Sequence, residues 1–134
     1  MADTFQLEIV TPEKLVVRTT AEEIQIPGLN GYLGILPGHA PLITELAVGV
    51  ISYREQTETR TLSVAWGFAE VLPDKVTILA ETAEHPDEID VTRAQKAKER
   101  AEQRLQSNDP NVDYDRANGA LQRADTRLKV AAVK

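Results

Sequence analysis

Apolar and polar residues alternate with a period of two along most of the first eighty positions. Phe5, Leu7 and Ile9 are separated by Gln6 and Glu8; Ile24 and Ile26 alternate with Glu23 and Gln25; Leu62, Val64 and Trp66 alternate with Thr61 and Ser63. A period of two turns one face of a strand inward and leaves the other in water. Turn chemistry separates these runs at Thr11-Pro12-Glu13-Lys14, Pro27-Gly28, Pro37-Gly38, Glu55 to Glu58 and Pro73-Asp74. No crossover helix intervenes. The pattern over residues 4–81 therefore predicts short antiparallel strands in a sandwich or flattened barrel, rather than a parallel sheet. The alternation also places Trp66 and Phe68 in the core.

The period changes after His85-Pro86-Asp87-Glu88, a polar linker. Asp90 is a suitable N-cap for a helix running to about Gln106, and Ser107-Asn108-Asp109-Pro110-Asn111 breaks it. A second helix is predicted from about Asp113 to Ala132. Its apolar positions Tyr114, Ala117, Leu121, Ala124, Leu128 and Ala131 fall at alternating spacings of three and four, and the first helix offers Ala94, Ala97, Ala101 and Leu105. A short connection makes the two seams an antiparallel hairpin. The fold class is thus α+β. An N-terminal antiparallel β-sandwich (a flattened barrel) occupies residues 1–86, and a C-terminal two-helix antiparallel hairpin occupies 87–134.

Alanine dominates both seams. It permits close helix approach, but each buried methyl contributes only about 0.8 kcal/mol, against about 1–2 kcal/mol per residue for fixing the backbone. High helix propensity keeps both segments helical, paired or not. The hairpin is expected to be secure as helix and weakly held as a pair, which is what a switch needs.

Composition narrows the chemistry. A chain of 134 residues, 42% apolar, is one domain, or one small domain with an appendage. No apolar run approaches the roughly 20 residues of a membrane-spanning helix. The first residues lack a charged-then-apolar signal pattern, so the protein is expected to stay where it is made. With no cysteine there is no disulfide, thiol nucleophile or thiolate metal site, and the isolated His39 and His85 suggest no metal cluster. His39, between a turn glycine and Ala40-Pro41, is expected to hydrogen-bond its turn. Gly28, Gly31 and Gly34 do not have the dinucleotide spacing, and no G-x-x-x-x-G-K-[ST] phosphate loop occurs. Nothing suggests a nucleophile with its base and orienting acid, so no catalytic residue is expected.

Charge divides the chain. Residues 1–88 carry five basic and fourteen acidic side chains, a balance of −9, whereas residues 89–134 carry ten basic and seven acidic, a balance of +3. The two parts present fields of opposite sign and are expected to meet different partners. The hairpin cations include Arg93, Lys98, Arg100 and Arg104 on the first helix and Arg116, Arg123, Arg127 and Lys129 on the second. They form either a solvated face or a docking surface for an acidic partner. Nucleic acid fits less well, because the acidic remainder would be repelled.

The stretch Gly31-Tyr32-Leu33-Gly34-Ile35-Leu36-Pro37-Gly38-His39-Ala40-Pro41-Leu42 closely resembles the signature segment of the epsilon subunits of F-type ATP synthases. The resemblance continues through Trp66-Gly67-Phe68-Ala69-Glu70-Val71, Val76-Thr77-Ile78-Leu79-Ala80 and Ile89-Asp90-Val91-Thr92-Arg93-Ala94, and so covers nearly the whole chain. It implies a sandwich of eight to ten strands and a non-catalytic subunit that joins the gamma subunit in the central stalk. It further implies coupling of proton-driven rotation to ATP synthesis, and suppression of ATP hydrolysis by a hairpin that extends into the catalytic alpha and beta subunits. Gly28, Leu29, Asn30, Gly31 and Tyr32 become candidate contacts to the membrane c-ring, and Arg93, Lys98, Arg100 and Arg104 candidate inhibitory contacts. Ile89-Asp90-x-x-Arg93-Ala94 matches a motif that binds ATP in some bacterial members, with Glu84, Arg123 and Arg127 aligned to its partners. The same residues also have a plainer reading, Asp90 as a helix cap and the arginines as surface charge. The implied location is peripheral, on the cytoplasmic or stromal face of a plasma or thylakoid membrane. From the residues alone, a β-sandwich binding module whose basic hairpin contacts an acidic partner or nucleic acid stands as the alternative.

Overall fold

Leu7, Ile9, Ile24, Ile26, Ile51, Leu62 and Ile78 have no solvent exposure, and each occupies an inward position of a strand. The structure, a computed structural model, describes residues 3–133. Eight strands precede the helices: β1 (Phe5–Val10), β2 (Leu15–Ala21), β3 (Glu23–Gly28), β4 (Gly31–Ile35), β5 (Leu42–Leu46), β6 (Gly49–Glu55), β7 (Glu58–Val71) and β8 (Lys75–Glu84). They form one hydrogen-bonded sheet in the order β2-β1-β8-β7-β5-β3-β4, with β6 pairing both β3 and β7. The sheet closes as a β-sandwich over one largely aliphatic core that also takes in Phe5 and Tyr53.

All pairs are antiparallel except β1 with β8, which run parallel. The intervening strands carry the chain across the sandwich and back, so this parallel pair needs no crossover helix. The turns fall close to the expected places. Thr11 and Lys14 close the β1–β2 connection, Leu72 and Lys75 the β7–β8 connection, and His39 Nδ1 lies 2.6 Å from the Ala40 carbonyl oxygen. Pro27-Gly28 differs: both residues are buried in β3, and the turn is Leu29-Asn30.

Trp66 and Phe68 also depart from the expectation. Along β7, Leu62 and Val64 face the core, but farther on it is Ala69 and Val71 that do so. The inward parity therefore switches in between, at Trp66 (φ +57°) and Gly67 (φ +125°). These left-handed conformations bend the strand where its pairing passes from β6 to β5. Trp66 and Phe68 are left 37% and 51% exposed.

A single 3-10 turn, Pro86–Glu88, leads to α1 (Val91–Gln106) and α2 (Tyr114–Ala131). Asp90 caps α1 by accepting from the Arg93 amide at 3.0 Å, and Asp113 caps α2 by accepting from the Arg116 amide at 3.1 Å. Ala94 and Ala101 are buried with Ala117, Ala124 and Ala131, while Leu121 and Leu128 are half-buried. Tyr114 is exposed, and its hydroxyl donates to the Ser107 carbonyl across the interhelix loop. A second face of α2, with Thr126 and Val130 buried, rests on β6 and β7. There Val130 and Ala131 pack with Ile89 against Val50. No helix among the described residues is long and apolar enough to cross a membrane.

Candidate functional site: a hairpin cleft and an uncovered sheet face

The linker sets where the hairpin starts. The Glu88 carboxylate accepts from the His85 amide at 3.0 Å and pairs with Lys14 at 3.0 Å, tying the 3-10 turn to the β1–β2 connection. These two partners, the His85 amide first, hold the Glu88 carboxyl below its ordinary value. One strand away, Glu84 Oε1 meets Arg127 Nε at 2.6 Å, which fastens α2 to the end of β8.

Between these ties and α1 lies a cleft of about 300 Å³ lined by Glu84, Glu88, Asp90, Arg93, Ala94, Ala97, Arg100 and Arg127. Four of the five residues aligned with the nucleotide motif are brought together here: Glu84, Asp90, Arg93 and Arg127. Arg123 does not line the cleft. Its Nη1 lies 3.4 Å from where a Cβ on Gly119 would stand, one turn back along α2. Arg100 joins the cleft although the motif reading did not include it. The signal was legible, since Arg93 and Arg100 are seven residues apart and share a helix face. Glu88 was readable only once the turn brought it alongside.

The three carboxylates of the cleft are already engaged, Glu84 with Arg127, Glu88 with Lys14 and His85, and Asp90 with the Arg93 amide. Among the described residues, no carboxylate lies within ion-pair distance of the Arg93 or Arg100 guanidinium. Of the four cations expected to make inhibitory contacts, Lys98 is committed to Asp125 at 3.2 Å, across the helix pair. Arg104 lines a separate cleft of about 310 Å³ with Arg116, Asn111 and Asp113 at the hairpin tip.

The contrast between the two halves extends to every described cation. On the sandwich all five are paired: Lys14 with Glu88, Arg18 and Lys75 with Glu8, Arg54 with Glu22 and Glu23, and Arg60 with Glu55 and Glu58. On the hairpin only Lys98 and Arg127 are paired among nine described cations, leaving seven without an ion-pair partner.

Two apolar surfaces are also uncovered. On the outer face of the sheet, Phe68 stands directly opposite Leu79 on one side and Glu45 on the other, with Ile43 opposite Glu70 in the next row. Ile43 is 71% and Leu79 53% exposed. At the end of the sandwich, Gly28 to Leu33 and Leu42 to Glu45 line a shallow depression of about 520 Å³. Leu29 and Tyr32 are exposed there, although the Tyr32 hydroxyl accepts from the Val50 amide at 2.9 Å.

The fold defines a class of two-part proteins in which a β-sandwich carries a C-terminal helical hairpin. Comparison with known proteins identifies the class. Residues 4–86 match the family described as ATP synthase, Delta/Epsilon chain, beta-sandwich domain, and residues 87–132 match ATP synthase, Delta/Epsilon chain, long alpha-helix domain. The chain is similar to the ATP synthase epsilon chain of Koribacter versatilis, with 74% identity over 110 residues (82% of this chain, 78% of the relative). It is 51% identical to that of Moorella thermoacetica over 129 residues, covering 95% of this chain and 96% of the relative. Among solved structures, a chain of the Euglena gracilis mitochondrial ATP synthase (OSCP/F1/c-ring) superposes with a TM-score of 0.84 at 25% identity, covering 100% of this chain and 84% of that one. The chain therefore belongs to the ATP synthase delta/epsilon family.

Proposed function

We propose that the chain works as the epsilon subunit of an F-type ATP synthase, non-catalytic, held in the central stalk by its sandwich and regulating hydrolysis through its hairpin. The observation that carries this reading is the set of seven cations on the hairpin that have no ion-pair partner among the described residues, beside a sandwich whose described cations are all paired. Exposed cations without intramolecular partners add little to stability, but they match an acidic docking surface. In this reading the extended hairpin presents Arg93, Arg100 and Arg104 to the catalytic alpha and beta subunits. Lys98 joins them only after leaving Asp125.

The uncovered sheet face around Ile43, Phe68 and Leu79 suits the gamma subunit, since exposed apolar patches of this kind mark docking sites. The loop Gly28 to Tyr32 then faces the membrane c-ring, which makes the subunit peripheral to a coupling membrane, on its cytoplasmic or stromal side. Rotation driven by protons reaches ATP synthesis through this stalk. The cleft is proposed to hold regulatory ATP. Arg93, Arg100 and Arg127 offer charge-assisted bonds to phosphates, and Glu84 or Asp90 can accept from base or ribose donors.

Removing the hairpin tests the division of labour. A chain ending at Glu88 should still co-purify with the gamma subunit and should lose most of the inhibition of ATP hydrolysis by the assembled enzyme. Equal inhibition by truncated and full-length chains would overturn the assignment of inhibition to the helices. Failure of the full-length chain to recover gamma would overturn the subunit reading itself.

A further inference from the structure

The sequence contains two Asn-Gly pairs, and the fold places them in opposite chemical situations. Asn30-Gly31 closes the β3–β4 turn, with both residues exposed. Gly31 has φ +130°, and nothing lies within 4 Å of the position a Cβ would take. Asn118-Gly119 lies inside α2. There the Gly119 amide is committed to the carbonyl four residues back, and Arg123 Nη1 lies 3.4 Å from where a Cβ on the glycine would stand.

We propose that Asn30 is a site of spontaneous covalent modification, converting to aspartate and isoaspartate through a succinimide, while Asn118 is spared. The Gly31 backbone nitrogen, having given up its proton to solvent base, attacks Cγ of Asn30. A bond forms between that nitrogen and Cγ, the bond from Cγ to Nδ2 breaks, and Nδ2 leaves as ammonia with protons taken from solvent. Water then opens the five-membered ring. Attack at the side-chain carbonyl gives aspartate, and attack at the backbone carbonyl gives isoaspartate, in which the chain runs through the former side chain. No oxidant or reductant takes part.

The structure favours this reaction at Asn30 on three grounds. The attacking nitrogen belongs to a residue with no side chain to obstruct ring closure, in a conformation that glycine alone enters freely. Gly28 and Gly31 are the last rung of the β3–β4 ladder, and terminal rungs open at little cost compared with the core. The surroundings are open to the water that both steps need. In α2, by contrast, helical geometry holds the Gly119 nitrogen in its ladder, and exposing it requires the N-terminal end of the helix to unwind past Gly119.

The product adds a carboxylate to the depression lined by Gly28 to Leu33, whose lining already includes Glu45, and isoaspartate also lengthens the turn by one backbone atom. The reactivity belongs to the free chain and does not depend on any partner. One consequence alone rests on the proposed function: a chain held there against the c-ring is shielded, so the modified fraction records time spent unassembled.

The test incubates the full-length chain at mildly alkaline pH and digests it with trypsin, which separates residues 19–54 from residues 117–123. The peptide carrying Asn30 should gain the mass of an amide-to-acid exchange at least about tenfold faster than the peptide carrying Asn118, and should split into aspartyl and isoaspartyl forms on chromatography. In urea the two rates should converge. Asn30→Gln, whose ring closure is slower, should suppress the change in the first peptide. Equal rates in the folded chain, or an unmodified Asn30 over the interval in which the urea-unfolded chain converts, would overturn the proposal.

Discussion

A Cβ built at Gly67 would stand 2.0 Å from the Leu79 carbonyl oxygen, and its φ of +125° is one that side chains rarely adopt. Relieving that contact means pulling β7 from β8 at the center of the sheet. Gly67→Ala is expected to destabilise the fold by about 3 kcal/mol or more. Gly34→Ala on β4, where nothing lies within 4 Å of the added carbon, should stay within about 0.5 kcal/mol of the parent. Urea unfolding of the two variants side by side checks both values, and a mild Gly67→Ala would mean that the bend in β7 is not fixed by this contact. The same pair of residues shows the limit of reading strands from alternation. Leu62 and Val64 were placed inward correctly because parity holds within a continuous strand. Trp66 and Phe68 were misplaced because two left-handed residues reverse the parity, and only the partner strands reveal where that reversal falls.

At the scale of elements, α1 and α2 were legible for local reasons: Asp90 and Asp113 sit at their caps, and alanines recur at three and four. The buried side of α2 facing the sandwich was not legible. Thr126 and Val130 lie off the alanine seam, and their burial arises from β6 and β7, which the helix does not announce. The cleft was partly legible, since Arg93 and Arg100 follow from helix periodicity, whereas the placement of Arg123 toward Gly119 depends on a side-chain conformation that residue spacing does not give. This geometry makes a specific claim about nucleotide binding. Arg93 and Arg100 have no carboxylate partner among the described residues, so their guanidiniums are available to phosphates without breaking a described pair. Calorimetric titration of the isolated chain with ATP should give heat that Arg100→Ala weakens by about tenfold or more in affinity, the value of one charge-assisted contact. Arg123→Ala should have the smaller effect if the described side-chain placement persists on binding. A flat titration of the parent chain at millimolar ATP would reduce the cleft to helix capping and surface charge.

For the whole molecule, the proposed function gives one hairpin two uses, docked on the sandwich and extended. α2 rests on β6 and β7 through Val130 and Ala131, against Ile89 and Val50, with the Glu84–Arg127 pair beside them. If the hairpin extends toward the catalytic subunits as proposed, it gives up those contacts, so closed and extended forms would compete and whatever weakens one would raise the other. The closed form has little to defend it, because the apolar attachment is a single small cluster and the ion pair is partly exposed. Val130→Ala shifts this balance without adding charge. It should cost the closed form about 2 kcal/mol through lost burial and the cavity left behind, raising the ratio of extended to closed hairpin more than about tenfold. The helices themselves should persist, since alanine is the better helix former. If extension is the inhibitory act, the variant should bind gamma normally and inhibit ATP hydrolysis at lower concentration than the parent, with faster hydrogen exchange along β6 and the first half of β7. Weaker inhibition together with that faster exchange would show that the docked hairpin is itself the inhibitor, and the switch would have to be read in the opposite direction.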